Sequence, residues 1–316
     1  MEALSENLSK SNFYCLCVHE NPDLDAFSSL LSLLLVLNGL GFKVKGYLEN
    51  CPEWISFLNG WELYKELENL QISEHYQVIA LDCGSIERIW PKDIREGSSG
   101  IINIDHHFDN PLFGSVNICD HSVSSTAELL FTLFKQDGIA IDEKIASNIY
   151  AGILFDTGGF RYSNSRANTF KTVVELIDLG LNPSLMADRV FTKWDEKGFC
   201  ALQLALANVE YWEDNQILYS FVSFQEVERY NFSNADFEGI IDILRMNRKT
   251  KYSIFIRETE KGDFKGSVRA KEPYEIGEAL RSLGGGGHKR AAGFSVKNKS
   301  IEEIKSILTF TFKKLL

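Results

Sequence analysis

The sequence lacks the features of a membrane or secreted protein. Its longest apolar run, from about Leu30 to Leu37, is far shorter than the roughly 18 residues of a membrane span. The opening residues MEALSENLSK have no basic region followed by an apolar core, so we expect no signal peptide. The six cysteines lie singly except for Cys15 and Cys17, which provides neither a zinc-type pairing nor a disulfide framework. We therefore expect no membrane partner and a cytoplasmic location.

Positive charge is also scarce. The chain has 33 Lys and Arg residues against 44 Asp and Glu residues, so its formal net charge is −11. Such a chain repels a long polyanion laid along its surface, and we expect no binding of long duplex nucleic acid. A short RNA or nucleotide held at one cationic or metal-bearing cleft remains compatible with this charge.

The order of elements predicts an α/β protein with two domains. The 316 residues are enough for two domains that each bury a core. From residue 13 onward, continuous apolar strand-like runs alternate with helical patterns, which is typical of a parallel sheet covered by helices on both faces. We predict that this larger domain spans residues 1–185. A helical connector is predicted for residues 186–213, and a smaller α/β domain with a mixed sheet for residues 214–316.

Acidic and histidine side chains gather where the predicted strands end. The carboxyl ends of parallel strands meet at one edge of a sheet, where ligands of α/β proteins bind. A single aspartate after a strand is usually a helix cap or a turn residue, but three such strand ends favour a common site. The residues are His19, Asp23 and Asp25 after the first strand, Asp82 after YQVIAL, and Asp105, His106 and His107 after GIINI.

Asp156 adds a fourth element to this set. It ends the apolar run of IYAGILFDTGGF and precedes a threonine and two glycines. A helix that stops at glycine explains the glycines, but the helix dipole disfavours an aspartate at that end. A bound cation would remove this objection.

The combination of residue types predicts two metal ions. Carboxylates with a few imidazoles and no thiolate suit Mn²⁺ or Mg²⁺ better than structural zinc. Four aspartates and two histidines are more ligands than one ion needs if it is also to hold substrate. Two ions that share one carboxylate fit this number, and such pairs, about 3.5–4 Å apart, activate water and stabilise phosphoryl displacement.

The motifs resemble those of a known family. HENPDLDA, LDCGS, IDHHFDN and ILFDTGGF are similar to the four ordered motifs of the DHH phosphoesterases. GSVRA and GGGGHKRAAGF are similar to motifs of the DHH-associated substrate-binding domain. The resemblance covers nearly the whole chain. Within the family, the length and the domain pairing resemble enzymes that hydrolyse very short RNA (nanoRNA) and the 3′-phosphate of adenosine 3′,5′-bisphosphate (pAp).

The resemblance implies a role for each residue at the strand ends. One metal ion would be bound by His19, Asp23 and Asp82. The other ion would share Asp82 and would also be bound by Asp25, His106 and Asp156. Asp105 would orient a ligand histidine. His107 would face the substrate phosphate as an electrostatic or proton-donating group.

The glycine-rich segment at 284–287 has three interpretations. A flexible linker is disfavoured because helix and strand signals flank the segment closely. A Walker loop is excluded because His288, and not glycine, precedes Lys289, and no Ser or Thr follows. A phosphate cradle is favoured because glycines let backbone N–H groups approach an anion. The resemblance implies that the substrate's terminal phosphate is bound by Arg269, Gly285, Gly286, Gly287 and His288, with Lys289 and Arg290 either adding charge or serving as surface residues.

Several functions compete with the leading hypothesis of a two-metal phosphoesterase for short RNA and pAp. A phosphodiesterase for cyclic di-AMP or linear pApA would use the same site. A manganese pyrophosphatase is disfavoured by the glycine-rich histidine loop, and a processive exonuclease by the short acidic chain. A non-catalytic nucleotide sensor would be expected to have degenerate metal ligands, and none is degenerate here. The oligomeric state is open, a homodimer included.

Overall fold

The chain forms two compact units, Met1–Lys193 and Trp194–Leu316, in a computed structural model that describes residues 4–48, 51, 53–192, 194–276 and 279–316. The segment predicted as a connector, 186–213, is divided between them. The first unit contains β1 (Phe13–His19), α1 (Leu24–Gly39), β2 (Lys43–Tyr47), α2 (Trp61–Leu67), β3 (Tyr76–Leu81), β4 (Ile89–Trp90), α3 (Lys92–Glu96), β5 (Ile101–Asp105), β6 (Val116–Cys119), α4 (Thr126–Gln136), α5 (Glu143–Asp156), α6 (Ala167–Asp178) and α7 (Pro183–Phe191).

The sheet of the first unit is parallel along its main path. Its strand order is β2-β1-β3-β5-β6, and the two-residue strand β4 pairs antiparallel with β1. Strand β1 is buried at every position, as expected when helices cover both faces of a sheet. The predicted fold class is thereby confirmed. The order also places the ends of β1, β3 and β5 side by side.

Helix α1 lies in the main core of this unit. Asp23 is its N-cap residue, and its Oδ1 accepts hydrogen bonds from the backbone N–H groups of Asp25 and Ala26. Nearly all of its side chains are buried because the helix packs against β1, α4 and α5. Capping by Asp23 therefore couples the turn after β1 to a buried helix of the core.

The second unit is a mixed α/β domain with a six-stranded sheet in the order β11-β12-β10-β9-β8-β7. Strands β8 and β9 are parallel and the other pairs are antiparallel. Its elements are α8 (Glu196–Ala207), β7 (Val209–Trp212), β8 (Ile217–Val222), α9 (Phe224–Tyr230), α10 (Ile240–Leu244), β9 (Tyr252–Glu260), β10 (Asp263–Ala270), β11 (Gly286–His288), β12 (Ala291–Val296) and α11 (Ile301–Lys313).

One predicted element of this unit is wrong. The sequence predicts helix through residue 212, but 209–212 form strand β7, with Val209 opposite Ser220 of β8. A β-branched residue and two aromatic residues in VEYW suit a sheet edge, and pairing with β8 overrides the helical pattern. Within the described ranges, no helix combines the length and the apolar character needed to cross a membrane.

Candidate metal centre

The ends of three neighbouring strands bring the predicted ligands together. His19 is the last residue of β1, Asp82 directly follows β3, and Asp105 is the last residue of β5. These strands are parallel neighbours, so their carboxyl ends lie at one edge of the sheet. Asp82 adopts a left-handed backbone conformation with φ 58°, which turns the chain at this edge.

Asp82 is the centre of the cluster and is only 2% exposed. Its Oδ2 lies 3.7 Å from Nε2 of His19. Its Oδ1 lies 3.6 Å from Nε2 of His106 and 3.7 Å from Nδ1 of His107. Two groups of potential ligand atoms, each within 4.8 Å of one another, share this carboxylate: His19, Asp23 and Asp82, and Asp82, His106 and His107.

Asp156 and Asp25 extend the second group. The Nε2 atom of His106 lies 3.5 Å from Oδ2 of Asp156, at the end of α5. The Asp25 carboxylate is close enough for the charges of Asp82 and Asp156 to raise its pKa. The structure thus brings all six predicted metal ligands to one edge of the sheet.

The start of α4 holds two of these carboxylates in place. The backbone N–H groups of Thr126 and Ala127 donate to Oδ2 and Oδ1 of Asp25, at 2.7 and 3.0 Å. Helix N-termini bind carboxylates well because their first N–H groups have no partner within the helix. The Thr126 hydroxyl also donates to Oδ1 of Asp82 at 2.9 Å. Thr126 therefore orients one carboxylate with its backbone and another with its side chain.

A buried network fixes this helix start. Ser125 is the N-cap residue, and its Oγ accepts from the Glu128 N–H at 3.1 Å. The Glu128 carboxylate accepts from the N–H and the hydroxyl of Ser124 and from the hydroxyl of Thr169. The serine and threonine run at 124–126 indicates a cap in the sequence. Nothing in the sequence shows that the residue after the cap would contact Asp25 and Asp82.

Gly152 of α5 is packed directly against Asp25. A Cβ atom at this position would lie 2.5 Å from Oδ1 of Asp25, 2.5 Å from Oγ of Ser28 and 2.7 Å from Cβ of Ala127. Real Cβ atoms do not approach other atoms so closely. Only glycine therefore fits beside this carboxylate.

His107 is paired with Asp105. A carboxylate can only accept, so Nδ1 of His107 donates to Oδ1 of Asp105, at 2.7 Å, and Nδ2 of Asn110 donates to the other oxygen at 2.6 Å. The resemblance implies that Asp105 orients a ligand histidine, and the histidine it contacts is His107. Burial lowers the pKa of His107, but the hydrogen bond and charge of Asp105, with Asp82 and Asp156, raise it to about 10. His107 is therefore an imidazolium at neutral pH in the metal-free protein.

The Asp105–His107 pair makes a pH-dependent prediction. In metal-free protein, Asp105→Asn should lower the pKa of His107 from about 10, because burial still lowers it while the hydrogen bond and charge of Asp105, the largest raising contributions, are lost. Because the pKa of His107 is higher in the folded protein than its ordinary value of 6.5, the protonated ring stabilises the fold fully at a pH below 6.5. This contribution is lost as the pH rises through about 10. The measurement is an NMR titration of the His107 ring in excess chelator. Asp109→Asn, an exposed change in the same turn, is the control, and an unaltered titration in Asp105→Asn would contradict the assignment.

The electrostatics of the cluster fit divalent cations. Burial and repulsion by Asp82, Asp156 and Asp23 raise the pKa of Asp25 well above its usual value. Burial and the positive charge of His107 lower the pKa of His106 to about 4, so its imidazole is neutral and able to bind a metal. Buried carboxylates that repel one another around a neutral imidazole form a favourable site for cations.

The neighbouring cysteine does not change the type of metal. Burial raises the pKa of the Cys83 thiol well above its usual value, and its Sγ donates to the backbone oxygen of Leu81. A protonated thiol is a poor ligand. The Nδ1 atom of His19 lies 2.9 Å from the Glu20 carbonyl oxygen and 3.2 Å from Nη2 of Arg88, and these contacts orient the ring so that Nε2 faces Asp82. The donors are therefore carboxylate oxygens and imidazole nitrogens, which suit Mn²⁺ or Mg²⁺.

The predicted phosphate-binding residues of the second unit lie at one end of its sheet. Arg269 of β10 is opposite Ala291 of β12, which is itself opposite His288 of β11. Nε of Arg269 donates to Oδ1 of Asp242 at 3.0 Å. The side chain of His288 lies outside the described part of the chain. The register thus aligns the backbones of the two predicted residues.

The remaining residues of this loop differ in their surroundings. A Cβ on Gly285 would lie 2.6 Å from the Gly293 oxygen, whereas one on Gly286 would meet no atom within 4 Å. Lys289 is exposed, with Nζ 3.4 Å from Oε1 of Glu275. Arg290 has Nη2 3.6 Å from Oε1 of Glu272. Gly285 is therefore required for packing, and Gly286 presents an open backbone.

The chain matches two domain families and several curated proteins. Residues 14–153 match the DHH family, N-terminal domain, and residues 214–314 match the DHHA1 domain. The bifunctional oligoribonuclease and PAP phosphatase NrnA of Thermus thermophilus is 29% identical over 289 residues, which cover 91% of this chain and 85% of that protein. The protein of the same name from Bacillus subtilis is 28% identical over 286 residues, covering 88% and 87%.

One solved structure has the same architecture. An exopolyphosphatase-related protein from Bacteroides fragilis superposes with a TM-score of 0.82 and covers 96% of this chain and 92% of its own. At 24% identity, this likeness concerns the fold. It agrees with the two-domain α/β architecture described above.

Proposed function

Because this chain belongs to the DHH family and carries a DHHA1 domain after its DHH domain, we propose that it is a metal-dependent phosphoesterase. Its proposed substrates are very short oligoribonucleotides and pAp, and its relatives from T. thermophilus and B. subtilis are named oligoribonuclease and PAP phosphatase. The observation that carries this proposal is Asp82, one buried carboxylate shared by two groups of ligand atoms. Such sharing is typical of sites that hold two ions for phosphoryl transfer.

Six residues would bind the two ions. The first group consists of His19, Asp23 and Asp82, and the second of Asp25, Asp82, His106 and Asp156. Mn²⁺ fits better than Mg²⁺ because two imidazoles are present. Bound divalent ions in such a site activate water and stabilise charge on phosphate oxygens. Thr126 keeps Asp25 and Asp82 in the orientation that both groups need.

His107 lies among the potential ligands around Asp82, but its Nδ1 donates to Asp105 and so offers no lone pair to a metal, and it acts on the phosphate instead. Because Asp105 holds its Nδ1, its Nε2 can donate a hydrogen bond to a phosphate oxygen and transfer its proton to the leaving oxygen. Asp105 stays ionised and keeps the ring oriented. Asn110 holds the other oxygen of Asp105, so the pair is fixed before substrate arrives.

The DHHA1 domain binds a second phosphate of the substrate. This contact is formed by Arg269, Gly285, Gly286, Gly287 and His288. Positive charge is added by Lys289 and Arg290. The contacts with Asp242 and Val268 engage Nε and Nη1 of Arg269 and hold its guanidinium plane. An oriented guanidinium favours bidentate recognition of phosphate.

The proposal predicts a dependence on substrate length. Hydrolysis should be fast for pAp and for RNAs of about two to five nucleotides and should fall for longer strands. A chain of net charge −11 offers little attraction to additional phosphates, so the salt dependence of kcat/KM should also be shallow. The measurement is kcat/KM with Mn²⁺ against RNA length, from two to about 24 nucleotides, at two salt concentrations.

The same assay separates the competing functions. Cyclic di-AMP, pApA and pyrophosphate are included at equal concentration. Preference for cyclic di-AMP or pyrophosphate would replace the proposed substrate class. Efficiency that keeps rising beyond about ten nucleotides, with a steep salt dependence, would indicate a strand-tracking exonuclease instead.

A further inference from the structure

Two large apolar side chains are exposed beside the candidate metal centre. Phe108 is 57% exposed and Leu112 is 58% exposed, both in the segment that follows β5. Segments 20–23, 82–88, 106–115 and 120–125, all within the described ranges, follow the strands β1, β3, β5 and β6. These two are the exposed large apolar residues of those segments. Single exposed apolar residues are common, but their position at this edge is specific.

The loop that carries them is fastened to the site by Asn110. Its Nδ2 lies 2.6 Å from Oδ2 of Asp105, 2.7 Å from Oδ1 of Asn103 and 3.1 Å from the Cys83 oxygen. Its Oδ1 accepts from the N–H of Leu112 at 2.8 Å. One side chain therefore supports the Asp105–His107 pair and also sets the path of the loop that presents both apolar residues.

Phe108 stands at the centre of a tight turn. The Asn110 N–H donates to the His107 oxygen at 3.4 Å, so residues 108 and 109 are the central residues of a turn that begins at His107. Among the described residues, no other aromatic ring lies against Phe108. An exposed ring on a fastened turn contributes little to folding, whereas it can offer a flat apolar face to a ligand.

We propose that Phe108 is the platform on which a nucleobase of the substrate stacks, with Leu112 as a second apolar contact on the same loop. This inference rests on the proposed function. A phosphate that contacts His107 brings its attached nucleoside next to the following residue. Stacking on an aromatic ring accepts every base, because each base has a π-face. Phe108 would thus determine that the substrate is a nucleotide and not a simple phosphate ester.

The kinetic test compares substrates with and without a base. For Phe108→Leu with Mn²⁺, KM for pAp should rise about ten-fold, with kcat changed less than about two-fold. For the abasic analogue of pAp, in which hydrogen replaces adenine, KM should be the same for Phe108→Leu as for the wild-type protein. Phe108→Trp should restore KM. Phe170→Leu, the same substitution at an exposed phenylalanine of α6, is the matched control and should leave both substrates unaffected. Equal effects on both substrates, or no effect on either, would overturn the proposal.

A binding measurement decides the question independently of turnover. Adenosine 5′-monophosphate, the expected product, is added to the Mg²⁺-loaded protein, and NOEs are recorded between the adenine protons and phenylalanine rings. NOEs that disappear in Phe108→Leu and persist in Phe170→Leu support the base platform. Absence of NOEs to Phe108 overturns it. If the wild-type protein hydrolyses no nucleotide, the proposed function fails, while these NOEs still decide the base platform.

Discussion

Asp82→Ala should remove nearly all hydrolysis, lowering kcat at least about a thousand-fold, which corresponds to about 4 kcal/mol of transition-state stabilisation. The reason is that Asp82 lies within reach of both groups of candidate ligands, so neither proposed ion keeps its full set. The metal content should fall from two ions per chain to fewer than one. Hydrolysis of pAp and metal content by mass spectrometry are the measurements.

A surface carboxylate provides the control for this change. Asp178 at the end of α6 is exposed, and Asp178→Ala alters the net charge by the same amount. It should keep wild-type activity and two ions. Undiminished hydrolysis by Asp82→Ala, or by the wild-type protein in excess chelator, would rule out the two-metal proposal.

Gly152→Ala should weaken Mn²⁺ binding at least about a hundred-fold, although it adds a single methyl group at a residue that is not itself a proposed ligand. Its Cβ would lie 2.5 Å from Oδ1 of Asp25, so the carboxylate must move away from the N-terminus of α4. In an ordinary helix interior, alanine would be favoured over glycine by about 1 kcal/mol. Calorimetric titration with Mn²⁺ and kcat/KM for pAp measure the effect.

Gly39→Ala is the matched control for this prediction. Gly39 is the last residue of α1, and a Cβ there would meet no atom within 4 Å. This variant should bind Mn²⁺ normally and melt at the same temperature or slightly higher. If Gly152→Ala lowers the melting temperature but binds Mn²⁺ with wild-type affinity, the glycine serves helix packing and not the position of Asp25.

The sequence predicts the parts of the site that follow from local pattern. His19, Asp82 and Asp105 could be placed because each follows a continuous apolar run, and parallel strands end at one edge. The contact of Thr126 with Asp25 could not be predicted, because it joins residues 101 positions apart and depends on how α4 packs. The contact of Gly152 with Asp25 has the same origin.

Two further differences between the sequence-based predictions and the structure have a physical explanation. Strand β7 was predicted as helix because a helical pattern continues into it, and only pairing with β8 reveals the strand. The partner of Asp105 depends on ring orientations at the sheet edge, which sequence spacing does not encode. The roles of Arg269 and His288 remain predictions that the register of β10, β11 and β12 accommodates.

The left-handed backbone of Asp82 links catalysis to folding. A non-glycine residue at φ 58° costs on the order of 1 kcal/mol or more, and burial together with the charge of Asp82 raises the pKa of Asp23 and of Asp25. Burial also acts to raise the pKa of Asp82, but the hydrogen bond of His19 and the charge of His107 lower it below its ordinary value, so Asp82 is ionised in the folded protein. Cations that bind only the folded chain add stability as their concentration exceeds their Kd. The two proposed ions would therefore support the persistence of the protein as well as its chemistry, and a shortage of metal would reduce its abundance before any substrate is encountered.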